Sequence, residues 1–179
     1  MKLIKTKIKD AFILVPQVFK DERGYFFESF HQEKFEEQTG IQTKFVQDNE
    51  SMSSYGVIRG LHAQAEEFAQ AKLIKVTQGK VLDVVVDARI DSPTYGNVFS
   101  VELSSKNKHQ LFVPKGCLHG FSVLEDNTIF SYKCDEFYNK ASEIGVYPLD
   151  NTLAIDWHIP KEKQIISDKD RLLPDWDSF

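Results

Sequence analysis

Short β-branched and aromatic runs, each closed by a turn cluster, recur along most of this chain. Phe12-Ile13-Leu14-Val15 stops at Pro16, and Tyr25–Phe30 carries aromatics suited to a pleated surface. From Lys72 to Arg89 two apolar runs meet at Gln78-Gly79, which predicts a β-hairpin. Further strands are expected at Asn97–Leu103, Gln110–Val113, Phe121–Leu124 and Thr128–Cys134. Asp91-Ser92-Pro93, Lys106-Asn107, Pro114-Lys115-Gly116 and Glu125-Asp126-Asn127 separate them. Strands this short and this evenly spaced specify a β-sandwich or barrel. Helical signals are few: Gln32–Gln38, ending before Gly40, reads as a short helix that buries Phe35.

At 179 residues the chain is expected to form one domain over 1–179, with a core large enough to need no disulfide or metal staple. Lys plus Arg number 22 against 27 Asp plus Glu, a net charge of −5, so the bulk basic field of a non-specific nucleic-acid binder is missing. Two cysteines, Cys117 and Cys134, suggest reduced thiols in a cytoplasmic protein rather than a secreted scaffold. Apolar stretches such as Val84-Val85-Val86 are soon cut by charge, and the N-terminus alternates lysines with apolar residues. Neither a membrane span nor a signal peptide is therefore expected.

Strand alternation orients the polar residues. Gly60, His62 and Gln64 should share one face, with Arg59, Leu61 and Ala63 on the other. Lys72 shares a face with Ile74 and Val76, and Tyr132 with Phe130 and Cys134. A histidine, a lysine and a tyrosine can thus converge on one barrel mouth. Together they have the parts for proton transfer beside a carbonyl: a base, a cation for an enolate oxygen and a phenolic acid.

Pro114-Lys115-Gly116-Cys117-Leu118-His119 resembles the second motif of the cupin superfamily, small double-sheet jelly rolls. Metal-binding cupins carry His-x-His in their first motif, but this chain reads His62-Ala63-Gln64. The remaining histidines, 31, 109 and 158, offer no other pair, so no metal is expected.

A longer series of motifs is more specific. Phe19-x-Asp21-x-Arg23-Gly24-x-Phe26-x-Glu28 is followed by Gln47-Asp48-Asn49-x-Ser51 and Arg59-Gly60-Leu61-His62. Gln70-Ala71-Lys72-Leu73, Asp83-Val84-x-Val86-Asp87-x-Arg89, Ser92 to Gly96, His119-Gly120-Phe121, Tyr132-Lys133-Cys134 and Tyr138 to Glu143 come next, in that order. In order and spacing these resemble the dTDP-4-dehydrorhamnose 3,5-epimerase family of metal-free cupins. The resemblance implies a mainly β, cupin-type jelly roll with a few short helices that acts in dTDP-L-rhamnose synthesis without a cofactor.

By the same resemblance, His62 would take protons from C3 and C5 of a dTDP-linked 4-keto-6-deoxyhexose, with Asp170 pairing its ring. Lys72 would stabilise the enolate oxygen, and Tyr132 would donate a proton from the opposite face. Arg23 and Arg59 would meet the pyrophosphate, and Glu28, Gln47, Asp48 and Asn49 the thymidine end. His119, Tyr138, Glu143 and Lys169 would complete the site, with Phe26 and Tyr138 available for stacking. The family also implies a homodimer with exchanged N-terminal strands. Two departures stand out: Ala63, where the family has Tyr or Phe, and Cys117-Leu118, where it commonly has Phe-Ala. Relatives on the same fold invert only C3 or only C5, or isomerise the ketone. A metal-dependent cupin and a non-catalytic sugar-nucleotide binder are the competing classes.

Overall fold

The structure, a computed structural model, describes residues 1–179. In chain order its elements are β1 (Lys2–Lys5), β2 (Phe12–Val15), β3 (Phe19–Asp21), β4 (Gly24–Phe26), α1 (Gln32–Thr39), β5 (Gln47–Ser53), β6 (Val57–Gln64) and β7 (Lys72–Gln78). There follow β8 (Lys80–Asp87), β9 (Val98–Ser104), β10 (Gln110–Val113), β11 (Cys117–Val123), β12 (Thr128–Cys134), β13 (Glu143–Gly145), β14 (Ile165–Ile166) and α2 (Asp168–Arg171).

Two six-stranded sheets form a mainly β, cupin-type sandwich. The first runs β1-β2-β10-β7-β12-β5 and the second β13-β6-β11-β8-β9, with β14 parallel to β6. Thirteen buried side chains fill the space between them, including Ile74, Val76, Val85, Leu111, Phe121 and Phe130. Side chains of this size contribute about 1.5–3 kcal/mol each on burial, before the entropy cost of ordering them. β8 explains why its sequence reads as a continuous apolar run. Val81 and Val85 face the shared core, while Leu82, Val84 and Val86 pack under Val146, Leu153, Trp157 and Ile166.

The outer face of the first sheet is covered by α1. Phe35 is fully buried there against Leu14, Leu73 and Phe112, its ring centroid 5.3 Å from that of Phe112. The helix ends as its sequence signal indicates: Gly40 takes φ +70° and donates its N–H to Glu36 O at 2.8 Å.

Two expectations are corrected. The runs joined at Gln78-Gly79 do not pair as a hairpin, because β7 belongs to the first sheet and β8 to the second. Gly79, at φ +75°, packs against Thr128, whose Oγ1 would lie 2.2 Å from an added Cβ. The chain turns there across the edge of the sandwich, and each strand finds partners in its own sheet. The aromatic run Tyr25–Phe30 is extended only to Phe26: β4 pairs with β3 alone, in a small ribbon apart from both sheets. Phe19, Tyr25 and Phe26 are 55%, 57% and 70% exposed on it.

Candidate active site

A cleft of about 660 Å³ opens between the sheets at one end of the sandwich. Strand alternation brings Asn49 and Ser51 of β5, Lys72 of β7, His119 and Phe121 of β11, and Phe130 and Tyr132 of β12 to its wall. The stacked rings of Phe121 and Phe130, 3.9 Å apart between centroids, form an apolar part of it.

Alternation fails on β6, where Arg59 and His62 both line the cleft. His119 is paired with His62 and Phe121 with Arg59, so two steps on β11 span three on β6. This one-residue bulge lies at Gly60, φ +101°, and turns both side chains inward. An added Cβ at Gly60 would lie 2.5 Å from His119 O and 2.7 Å from Gly120 Cα. Arg59, expected on the face opposite His62, therefore joins it. Ala63 does lie opposite His62, in the outer cluster with Leu61.

His62 Nε2 and Asp170 Oδ1 are 2.7 Å apart. Asp170 arrives from the far end of the chain: β14 pairs with β6 at Val57 and Ile58, and the Ser167 hydroxyl accepts the Asp170 N–H at 3.1 Å. Burial opposes a charge on Asp170. Interactions with His62, Ser167 and the Gly60 backbone outweigh it and hold the carboxyl below its ordinary range. An ionised partner on Nε2 keeps the imidazole proton there and leaves Nδ1 as the basic nitrogen.

Burial pushes the Lys72 ammonium down, opposed by its neighbours Cys134, Asp83 and Glu143. Its Nζ stands 6.0 Å from the centre of the Tyr132 ring. Burial raises the Tyr132 phenol, helped by Cys134 and opposed by Arg59, so it stays protonated and able to donate. Arg59 is aimed by Ser53 Oγ, which accepts from Nη2 at 3.1 Å.

At the rim, Glu143 accepts the Tyr138 hydroxyl at 2.9 Å and pairs with Lys169. Burial works against its charge, but these two bonds and the nearby His62 bring its carboxyl below the usual range. Gln47 accepts the Tyr138 N–H at 3.1 Å and donates to Asn49 at 3.0 Å.

Gln47, Tyr138 and Glu143 do not line the cleft themselves: Gln47 is bonded to Asn49 and Glu143 to Lys169, which do, and Tyr138 is bonded to Glu143. Three more of the expected site residues lie apart from it. Arg23 sits on the β3–β4 ribbon with its side chain 85% exposed, bonded to Asp21. Glu28 pairs with Lys34 at 2.8 Å, outside the cleft. Asp48 points away from Gln47 and Asn49, as its place on β5 requires, and bonds Lys133 at 2.9 Å. Phe26 is likewise on the exposed ribbon.

Sequence reasoning assigned no role to Ser167 or Asp83. His119 Nε2 lies 2.9 Å from Asp83 Oδ1, a buried pair beside the His62–Asp170 pair. The signal for Asp83 was present: one carboxylate inside the apolar run Val81–Val86. No group of three or more His, Cys, Asp and Glu side chains is arranged to hold a metal ion.

A base with a fixed carboxylate, a sequestered cation and a protonated phenol around one cleft can move protons at carbon beside a carbonyl. The family model described as dTDP-4-dehydrorhamnose 3,5-epimerase matches residues 5–178. A dTDP-4-dehydrorhamnose 3,5-epimerase of Shigella flexneri is 49% identical over 170 residues, 95% of this chain and 93% of its own. The crystal structure of such an epimerase from Elizabethkingia anophelis has 53% identity and a TM-score of 0.96, covering 99% of this chain and 97% of its own. A 3,5-epimerase of Legionella pneumophila, solved in complex with dTDP-4-keto-L-rhamnose, has 44% identity and a TM-score of 0.94, over 98% and 93% of the two chains.

Proposed function

The chain belongs to the dTDP-4-dehydrorhamnose 3,5-epimerase family, and from that premise we propose how its cleft works. The enzyme is an isomerase that inverts C3 and C5 of dTDP-4-dehydro-6-deoxy-D-glucose, giving dTDP-4-dehydro-L-rhamnose. His62 Nδ1 takes the proton from the carbon next to the C4 ketone, and Asp170 stabilises the imidazolium that forms. Lys72 stabilises the enolate oxygen. Tyr132 returns a proton to the opposite face of the carbon, which is what inverts it. Arg59 meets the pyrophosphate, where a planar fork matches phosphate oxygens, and Tyr138 stacks at the nucleotide end. The observation that carries this reading is the convergence of His62, Lys72 and Tyr132 on one cleft, with Asp170 bonded to the histidine.

The enzyme works in the cytoplasm as a homodimer, its β3–β4 ribbon reaching a neighbouring cleft. Arg23 and Glu28 of the partner subunit then complete the nucleotide end. The exposed aromatics of that ribbon, and an Arg23 that is exposed and does not line its own cleft, support this arrangement.

Incubation with the 4-keto sugar nucleotide in D₂O tests the proton-transfer roles. His62→Ala should lower both deuterium uptake and inversion by about 10²–10⁴-fold or more. Tyr132→Phe keeps the ring but removes the donor, so deuterium enters with retained configuration while inversion falls. Near wild-type inversion by Tyr132→Phe, with exchange persisting in His62→Ala, would sink the assignment.

A further inference from the structure

Asp83 is the one fully buried carboxylate near the cleft to which the mechanism above gives no task. It sits in the middle of β8, paired in register with Phe121 of β11 and Val101 of β9, and solvent reaches none of it. Its neighbours on the same face, Val81 and Val85, are ordinary core residues. As a core filler an aspartate is a poor choice: Oδ1 bonds His119 Nε2 at 2.9 Å, and Oδ2 is buried with no hydrogen-bond partner. What the carboxylate offers is a fixed hydrogen-bond partner set behind His119, which lines the cleft.

We propose that Asp83 is a positioning residue of the epimerisation, fixing the ring of His119 with its proton on Nε2. The inference rests on the functional reading above. Burial pushes the Asp83 carboxyl up and the bonded His119 pulls it back. As the carboxylate partner of that bond, Asp83 draws the imidazole proton to Nε2 and leaves Nδ1 to accept a hydrogen bond from a sugar hydroxyl.

Asp83→Asn keeps the shape and an acceptor for His119 but deletes the charge. In the full-length enzyme, kcat should fall at least ~10-fold at neutral pH with KM changed less than ~3-fold. A purely structural role would raise KM as well or leave kcat alone. An unchanged kcat in a folded Asp83→Asn enzyme overturns the proposal. A second measurement needs no variant: ¹⁵N-histidine NMR of the wild-type protein should find the His119 proton on Nε2 and a bare Nδ1. A proton on Nδ1 instead, as a protonated Asp83 would impose, overturns the proposal even if Asp83→Asn fails to fold. Wild-type enzyme that leaves the 4-keto sugar untouched would count against the functional reading, whereas the NMR result bears on the Asp83–His119 pair alone.

Discussion

Two buried aspartates on one strand show how context decides what a carboxylate does. Asp83 has a single hydrogen-bonding partner, and burial dominates, raising its pKa against the pull of His119 and Lys72. Asp87, four residues along β8, is fully buried as well, yet it accepts Arg89 Nε and Nη2 at 2.8 Å and the Ser92 and Thr94 hydroxyls at 2.6 Å. Burial again pushes upward, but these bonds win, and the carboxyl is held far below its ordinary range. A folded pKa below the unfolded one means that this network stabilises the protein above about pH 4 and that the contribution fades as pH drops toward the folded value. Asp87→Asn should cost about 3 kcal/mol in urea unfolding at pH 7, the scale of breaking a buried charge pair. The gap from wild type should shrink as the pH is lowered below about 4. A gap that stays constant across that range would show that the loss comes from packing rather than charge.

At the scale of elements, the bulge in β6 has the largest effect on the site. Gly60→Ala would drive a methyl group into the His119 carbonyl and Gly120. We expect a stability loss on the order of 1–3 kcal/mol from the overpacked position. Turnover should fall further than dTDP affinity, since the bulge aims the base directly. Calorimetry paired with kinetics checks this, and wild-type turnover in Gly60→Ala would contradict it. The same element marks how far the sequence could be read. His62, Lys72 and Tyr132 converge as alternation indicated, because β7 and β12 keep strict period 2 through this region. Arg59 was placed on the wrong face because a bulge changes the phase without altering any residue type. Asp48 fell within a motif shared with its neighbours, yet period 2 turns it away from them. Gln78-Gly79 carried a turn signal that holds in either topology. Whether the flanking strands pair or part depends on partners elsewhere in the chain, which no local pattern records. The pairing of Asp170 with His62, 108 residues away, was legible only through family resemblance.

For the whole molecule, the proposed exchange of ribbons makes each cleft a joint product of two chains. Arg23→Ala and His62→Ala enzymes, each impaired alone, should therefore complement after mixing and subunit exchange. Random pairing leaves about a quarter of the clefts with both residues intact, and activity should recover toward that fraction. Recovery no greater than the sum of the separate variants would place Arg23 on its own chain's cleft, or outside the site altogether. The C-terminal strap that carries Asp170 has a different consequence. Every buried apolar residue of the chain lies at or before Ile166, whereas Lys169 and Asp170 lie beyond it. The last thirteen residues set Trp176 against the outer cluster and bond Tyr147 and Asp150, but none of them enters the core between the sheets, and they supply the carboxylate that orients the base. A protease that trims this tail would leave both sheets and the core between them in place while removing the carboxylate. In a cell, such clipped chains would persist as silent subunits, and abundance measured by antibody would overstate epimerase capacity.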